Sequence, residues 1–193
     1  MFYGCSSLEY LDLSYFNTSN VLSMARMFTD CTSLTSIDIS NFDFSKVIYM
    51  YEMFLNCNSL LNLNIKALNA KQNINLSRSF ENCYKLELLN TGNLEYQADN
   101  IQSMFKNCYS LKSIDLSKMK TNIVKYMSSL FENCKSLTSL DLSNFETYSV
   151  IDMSNMFNNC SSLYSLKINF DTENITKMSY MFASCVKLTS LDI

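Results

Sequence analysis

The sequence predicts an α/β solenoid of about seven to eight stacked coils, each a strand, a turn and a short helix, with a parallel sheet along one face. Three observations carry this prediction. Eight cysteines, Cys5, Cys31, Cys57, Cys83, Cys108, Cys134, Cys160 and Cys185, are spaced by 26, 26, 26, 25, 26, 26 and 25 residues. A leucine follows each of them by three residues, from Leu8 to Leu188, and a leucine or isoleucine by six. A phenylalanine precedes each by three, from Phe2 to Phe182. A fixed period of this length is the mark of a repeat array.

The strand is read from Leu34-x-x-Ile37-x-Ile39, a leucine-rich pattern whose alternate residues point inward. The helix is read from Val47, Met50, Met53, Phe54 and Cys57, apolar residues at helical spacing. Polar residues precede this stretch where an N-cap is wanted: Thr18, Ser19 and Asn20, then Ser45, Asn122, Ser149 and Asn174 in other copies. The chain has no Pro and only Gly4 and Gly92, so Asn, Asp and Ser must make its turns. One unit alone cannot bury enough apolar surface to offset the entropy of ordering it, so neighbours must cover both its faces. Residues 1–193 therefore form one domain, read as a portion of a longer array because Met1-Phe2 and Asp192-Ile193 both fall inside a unit.

Composition removes several function classes. A net charge of -3 argues against a nucleic-acid partner. With no His, neither a Ser-His-Asp nor a Cys-His pair can be built, nor a zinc site containing His. No apolar run is long enough to cross a bilayer, and residues 1–193 include no charged-then-apolar signal segment, which for a portion of a longer array says nothing of the parent's location. No cofactor or metal is expected, and no enzyme. Paired aspartates on a sheet face would be the one route to hydrolase or lyase chemistry, but nothing supplies a general acid or base near neutrality or a phosphate cradle.

Candidate partner-binding residues lie on the outer face of the strands. Asp12, Asp38, Asp115 and Asp141, with Asp192, sit between the two inward strand residues and face outward. Stacked about 5 Å apart they repel by about 1 kcal/mol in water, and Ser14, Ser40, Ser117 and Ser143 are placed to donate hydrogen bonds to them. They are read as a solvated face with local bonding, or else as a strip for a cation or a basic partner. The pattern breaks at Asn62, Asn64 and Lys66, again at Leu88, Asn90 and Gly92, and at Ser165, Lys167 and Asn169. Either drift or a binding patch produces such breaks.

The cysteines occupy one equivalent position between inward residues, which points to a ladder of buried free thiols over bridges between coils or a metal site. The methionines, Met50 and Met53 among them, are read as core. Tyr10, Tyr49, Tyr51, Tyr84, Tyr109, Tyr126, Tyr164 and Tyr180 vary from copy to copy and are expected at the surface. Four Asn-x-Ser/Thr sequons occur, at Asn17, Asn75, Asn159 and Asn174.

The unit Met-Phe-x-x-Cys-x-Ser-Leu-x-x-Leu-Asp-Leu-Ser-x-Phe, followed by Thr-x-x-Val-x-x-Met, resembles the BspA-type leucine-rich repeat of bacterial surface proteins. It is most similar to the 26-residue form of mycoplasma surface lipoproteins. The likeness runs through the whole chain, best at 1–56 and 104–168. Lys66 and Gly92 in place of Ser, and Ser79 in place of Met, depart from it. The resemblance implies a leucine-rich repeat fold and an adhesin-like or antigen-like role at the cell surface, with a secreted or lipid-anchored parent that binds host or neighbouring-cell proteins. The alternative is an intracellular leucine-rich repeat scaffold of a protist.

Overall fold

The computed structural model describes residues 1–65, 70, 73–92, 95–189 and 191. Among them it has eight short strands and no helix: β1 (Asn62–Asn64), β2 (Ile74–Asn75), β3 (Leu88–Asn90), β4 (Tyr96–Asn100), β5 (Ser113–Ile114), β6 (Met119–Lys120), β7 (Ser139–Asp141) and β8 (Ser165–Lys167). One parallel sheet runs β1-β3-β5, a second β2-β4-β6, and β7 pairs with β8. The register equals the sequence period. Asn62, Leu63 and Asn64 lie beside Leu88, Leu89 and Asn90, so one repeat makes one coil. In β1 the alternation is clean, with Leu63 buried between exposed Asn62 and Asn64.

The fold is thus a parallel β-solenoid, and the expected α/β coil of strand, turn and helix is wrong in its second half. Where the helix was expected, every other amide bonds within the coil to the residue three before it. Met53 N–H reaches Met50 O at 3.2 Å, Leu55 reaches Glu52 at 3.2 Å and Cys57 reaches Phe54 at 3.1 Å. The intervening amides cross to the next coil: Met50 to Asn75 O, Glu52 to Ser77 O, Phe54 to Ser79 O and Asn56 to Glu81 O, all 2.9 Å. Glu52 (φ 57°) and Asn56 (φ 62°) are left-handed, the conformation a type II turn demands at its third residue. Left-handed residues every fourth position prevent a continuous i→i−4 ladder. Yet they still turn Val47, Met50, Met53, Phe54 and Cys57 inward, all fully buried. A strip of stacked turns and a helix share one apolar spacing.

The same fourfold spacing recurs along the chain, at Arg26 and Asp30, Arg78 and Asn82, Ser103 and Asn107, Ser129 and Asn133, and Asn155 and Asn159. Gly4 (φ 73°) takes the equivalent place in the first coil. Among the described residues the polar side chains expected as N-caps have no helix to cap, and this stretch links coils instead. The Thr18 hydroxyl is buried, donating to Asp43 O at 3.3 Å and accepting the Asp43 N–H at 2.7 Å, and Thr121 brackets Glu146 in the same way. Both hold one coil to the next.

The core is a set of columns along the solenoid. Phe2, Phe28, Phe54, Phe80, Phe105, Phe131, Phe157 and Phe182 stack ring on ring, with centroids 5.2–5.8 Å apart. Beside them run the free thiols. Each thiol from Cys31 onward donates to the carbonyl of the phenylalanine one coil back, as Cys57 to Phe28 O (3.1 Å) and Cys108 to Phe80 O (3.1 Å). The expected ladder of unbridged thiols is what the structure shows. Burial raises these thiols, Cys31 up to about 11 and Cys160 up to about 12. Ser79, which replaces a core methionine, is fully buried with its hydroxyl 2.8 Å from both Met50 O and Leu76 O.

Candidate functional site

The repeat places the candidate residues on one outward face, in or directly after strands from β1 onward, while Asp12 and Asp38 lie in coils where no strand forms. Asp12, Asp38, Asn64, Asn90, Asp115, Asp141 and Lys167 occupy one position of successive repeats and are exposed. Asn64 lies in register with Asn90, and Asp141 with Lys167. Asn62 stands in a neighbouring file, in register with Leu88. Lys66 lies outside the described residues.

The aspartates are fixed by the chain that follows them. Ser14 N–H donates to Asp12 Oδ1 at 2.9 Å, Ser40 to Asp38 and Ser117 to Asp115 at 2.9 Å, and Ser143 to Asp141 at 3.1 Å. Gly92 N–H makes the same bond to Asn90 Oδ1 at 2.9 Å. Each closes the side-chain turn that ends the strand. The backbone bonds, reinforced by the serine side chains, hold Asp12 and Asp115 below the usual carboxylate range. The Ser143 hydroxyl, 2.6 Å from Oδ1, does so first for Asp141. Lys167 Nζ adds an ion pair with Asp141 at 3.3 Å. Local bonding accounts for the aspartates. Among the described residues no three acidic or thiol groups converge as a metal ion would need.

Where the file turns from aspartate to asparagine, the face dips into a shallow groove lined by Asp38, Ser40, Asn62, Asn64, Leu88 and Asn90. Leu88 is 54% exposed in it and Leu61 43% exposed beside it. A second, smaller groove involves Ser139, Asp141, Ser165 and Lys167. Of the variable tyrosines, Tyr10, Tyr49, Tyr84, Tyr109, Tyr126, Tyr164 and Tyr180 are exposed as expected, and Tyr51 is half-buried.

Two features of the turn strip were not foreseen from the sequence. The first is an amide ladder. Asn56, Asn82, Asn107, Asn133 and Asn159 each donate from Nδ2 to the Oδ1 of the residue one coil back, at 2.6–2.8 Å, ending on Asp30. The second is a charge ladder: Arg26 and Arg78 grip Glu52 from either side at 2.7 and 2.8 Å, and Arg78 also holds Glu81 at 2.6 Å. The signal for the first was present, an Asn or Asp directly before six of the cysteines.

The family described as "Mycoplasma protein of unknown function, DUF285" matches residues 1–93 and 75–192, nearly the whole chain. This chain belongs to that family. Its DUF285 repeats are the 26-residue coils described above, and the match includes every candidate residue of the sheet face. No curated protein and no solved structure matches the chain. Among the described residues no helix of this DUF285 protein is long and apolar enough to cross a membrane.

Proposed function

We propose that this chain is a non-catalytic protein-binding module displayed at the cell surface, adhesin-like or antigen-like, within a secreted or lipid-anchored parent. One observation carries the reading: the acidic file of the sheet face is interrupted by a groove edged by Asp38 and lined by the amides of Asn62, Asn64 and Asn90, with Leu88 exposed in it and Leu61 beside it. Carboxamides can donate and accept at once, and an exposed leucine beside them gives a partner apolar area to bury. The charged flanks, Asp12 and Asp38 on one side and Asp115 and Asp141 on the other, would set orientation more than affinity. A sheet face of stacked short strands supplies a long, repetitive platform of this kind.

The test is binding of the native protein to immobilised serum and matrix proteins, against variants Asn64→Arg, Asn90→Arg and Leu88→Asp. Loss of about tenfold or more in affinity with an unchanged melting temperature supports the groove. Binding that persists in all three removes it. An intracellular scaffold is the second reading, favoured by eight unbridged thiols, which suit a reducing compartment. Protease treatment of intact cells separates the two, since only a surface protein is cut.

A further inference from the structure

We propose a second interaction surface, at the corner between the turn strip and the sheet face, that takes a short acidic peptide segment. In each coil four residues follow the cysteine around this corner. At 6–9, 32–35, 58–61 and 161–164 they are uncharged or carry one acid. The corner at 186–189 carries Lys187 alone, while the successive corners at 84–87, 109–112 and 135–138 together carry Lys85, Lys112 and Lys135 against the single acid Glu87. These three corners adjoin, since Ser110 N–H bonds Tyr84 O at 3.2 Å and Ser136 N–H bonds Tyr109 O at 3.1 Å.

Their side chains are ordered by one another. The Tyr84 and Tyr109 rings stack at 5.0 Å and 6°, and Lys135 Nζ lies 4.9 Å over the Tyr109 ring. Both tyrosines remain 37% exposed, and Lys85 and Lys135 are exposed. Lys112 is paired with Glu87 at 2.5 Å. Lys85 and Lys135 form no ion pair among the described residues, so one unpaired cation lies over the stacked pair and a second directly follows Tyr84 in the chain. Tyrosine stacked in place contributes contact area at low entropic cost, and a cation held against a ring has less motion to lose on pairing.

Charge complementarity selects the occupant. Residues 1–60 carry two bases against six acids and residues 139–193 three against six, whereas 84–138 carry seven against five. Residues 61–83 add Lys66, Lys71 and Arg78 against Glu81, but the corners on either side of the basic three, at 58–61 and 161–164, carry no charge. A long polyanion would run past these cations onto uncharged corners at both ends, while a short acidic segment would not. From the Tyr84 ring to Lys135 Nζ the site spans up to about 10 Å, the two spacings just given, or roughly three residues of extended peptide at about 3.3 Å each. Nucleic acid fits less well for a further reason. Tyr109 has one face on Tyr84 and the other under Lys135, so only the outer face of Tyr84 is left for a base, too few for successive bases to stack. Carboxylates need only the ammonium groups and phenolic hydroxyls, which donate.

The experiment titrates the native protein with a fluorescent glutamate peptide of about three residues at low ionic strength, following anisotropy. Binding is expected, and the pair Lys85→Glu and Lys135→Glu should weaken it by about tenfold or more. The milder pair Lys85→Gln and Lys135→Gln should weaken it in the same direction, Lys177→Glu should leave it within about twofold, and all should melt with the native protein. Failure of the native protein to bind, or binding by both lysine pairs equal to that of the native protein, overturns the proposal. A sulfated polysaccharide that binds more tightly and is lost in the same variants overturns the peptide in favour of a general polyanion site. The sheet-face reading stands or falls separately, because the groove variants leave this corner intact.

Discussion

At the scale of the residue, Asn82 shows how much one position of the repeat does. Its backbone is left-handed (φ 63°), its Nδ2 donates to Asn56 and its Oδ1 accepts from Asn107, both at 2.7 Å. Asparagine tolerates this conformation better than other residues with a side chain, and the half-buried amide finds both partners in neighbouring coils. Asn82→Ala forfeits both bonds and imposes left-handed backbone on alanine, so it should cost about 2–3 kcal/mol in urea unfolding. Asn82→Gly keeps the backbone and loses only the ladder, and should cost about 1 kcal/mol less. Equal losses for the two would mean that the conformation contributes nothing. The thiols give a second prediction at this scale. Ellman's reagent should modify exposed Cys5 readily and half-buried Cys185 more slowly, with the six buried thiols reacting only on unfolding.

At the scale of the element, the turn strip separates what the sequence shows from what it hides. The strand half was legible in the coils of Leu63, Leu89 and Leu140, where period-two alternation forms a strand, whereas residues 34–39, which carry the pattern read as a strand, form none. The other half was misread as a helix because Val47, Met50, Met53, Phe54 and Cys57 repeat at a spacing that stacked turns satisfy equally well. The left-handed residues that decide between them, such as Glu52, Arg78 and Ser103, have no common chemistry. Their conformation is imposed by hydrogen bonds to the next coil. Circular dichroism should accordingly show a β-type spectrum without the paired minima of a helix, and helical minima would refute the turn strip. Phe105, fully buried between Phe80 and Phe131, anchors the same strip. Phe105→Ala should cost about 3–5 kcal/mol through lost burial and the cavity left behind.

At the scale of the molecule, the coils are alike enough to be exchanged. Deleting residues 104–129 joins Ser103 to Leu130, a residue equivalent to Met104 one coil later. The shortened chain should still unfold cooperatively, with a lower urea midpoint, because each coil contacts only its neighbours. Removal of about half a repeat puts sheet residues against turn residues and should abolish folding.

The pH dependence also belongs to the whole stack. The folded values of Asp12, Asp115 and Asp141 are depressed, so the stability they add is present at neutral pH. It is lost as pH falls below about 4, through those depressed values. The thiols act at the other end. Their folded values are raised by burial, so an unfolded chain ionises above about 8.5 while the folded one cannot. Stability should fall as pH rises from there through about 11 for Cys31 and about 12 for Cys160. Urea midpoints between neutral pH and about pH 10 check this, and a flat profile would argue against buried thiols.

By itself the sequence determined the period, the stacking of coils, the columns of Phe, Cys and Leu, and the outward file from Asp12 to Lys167. Each of these follows from apolar residues recurring at a fixed interval. Only the tertiary structure decided the backbone of the second half-coil, the amide and charge ladders, the sheet-face groove and the basic corner of Tyr84, Tyr109 and Lys135. The reason is physical. A repeat specifies what must be buried at each position, but hydrogen bonds between residues 26 apart form only once the coils are stacked. Those bonds choose the turn over the helix, and which outward side chains meet.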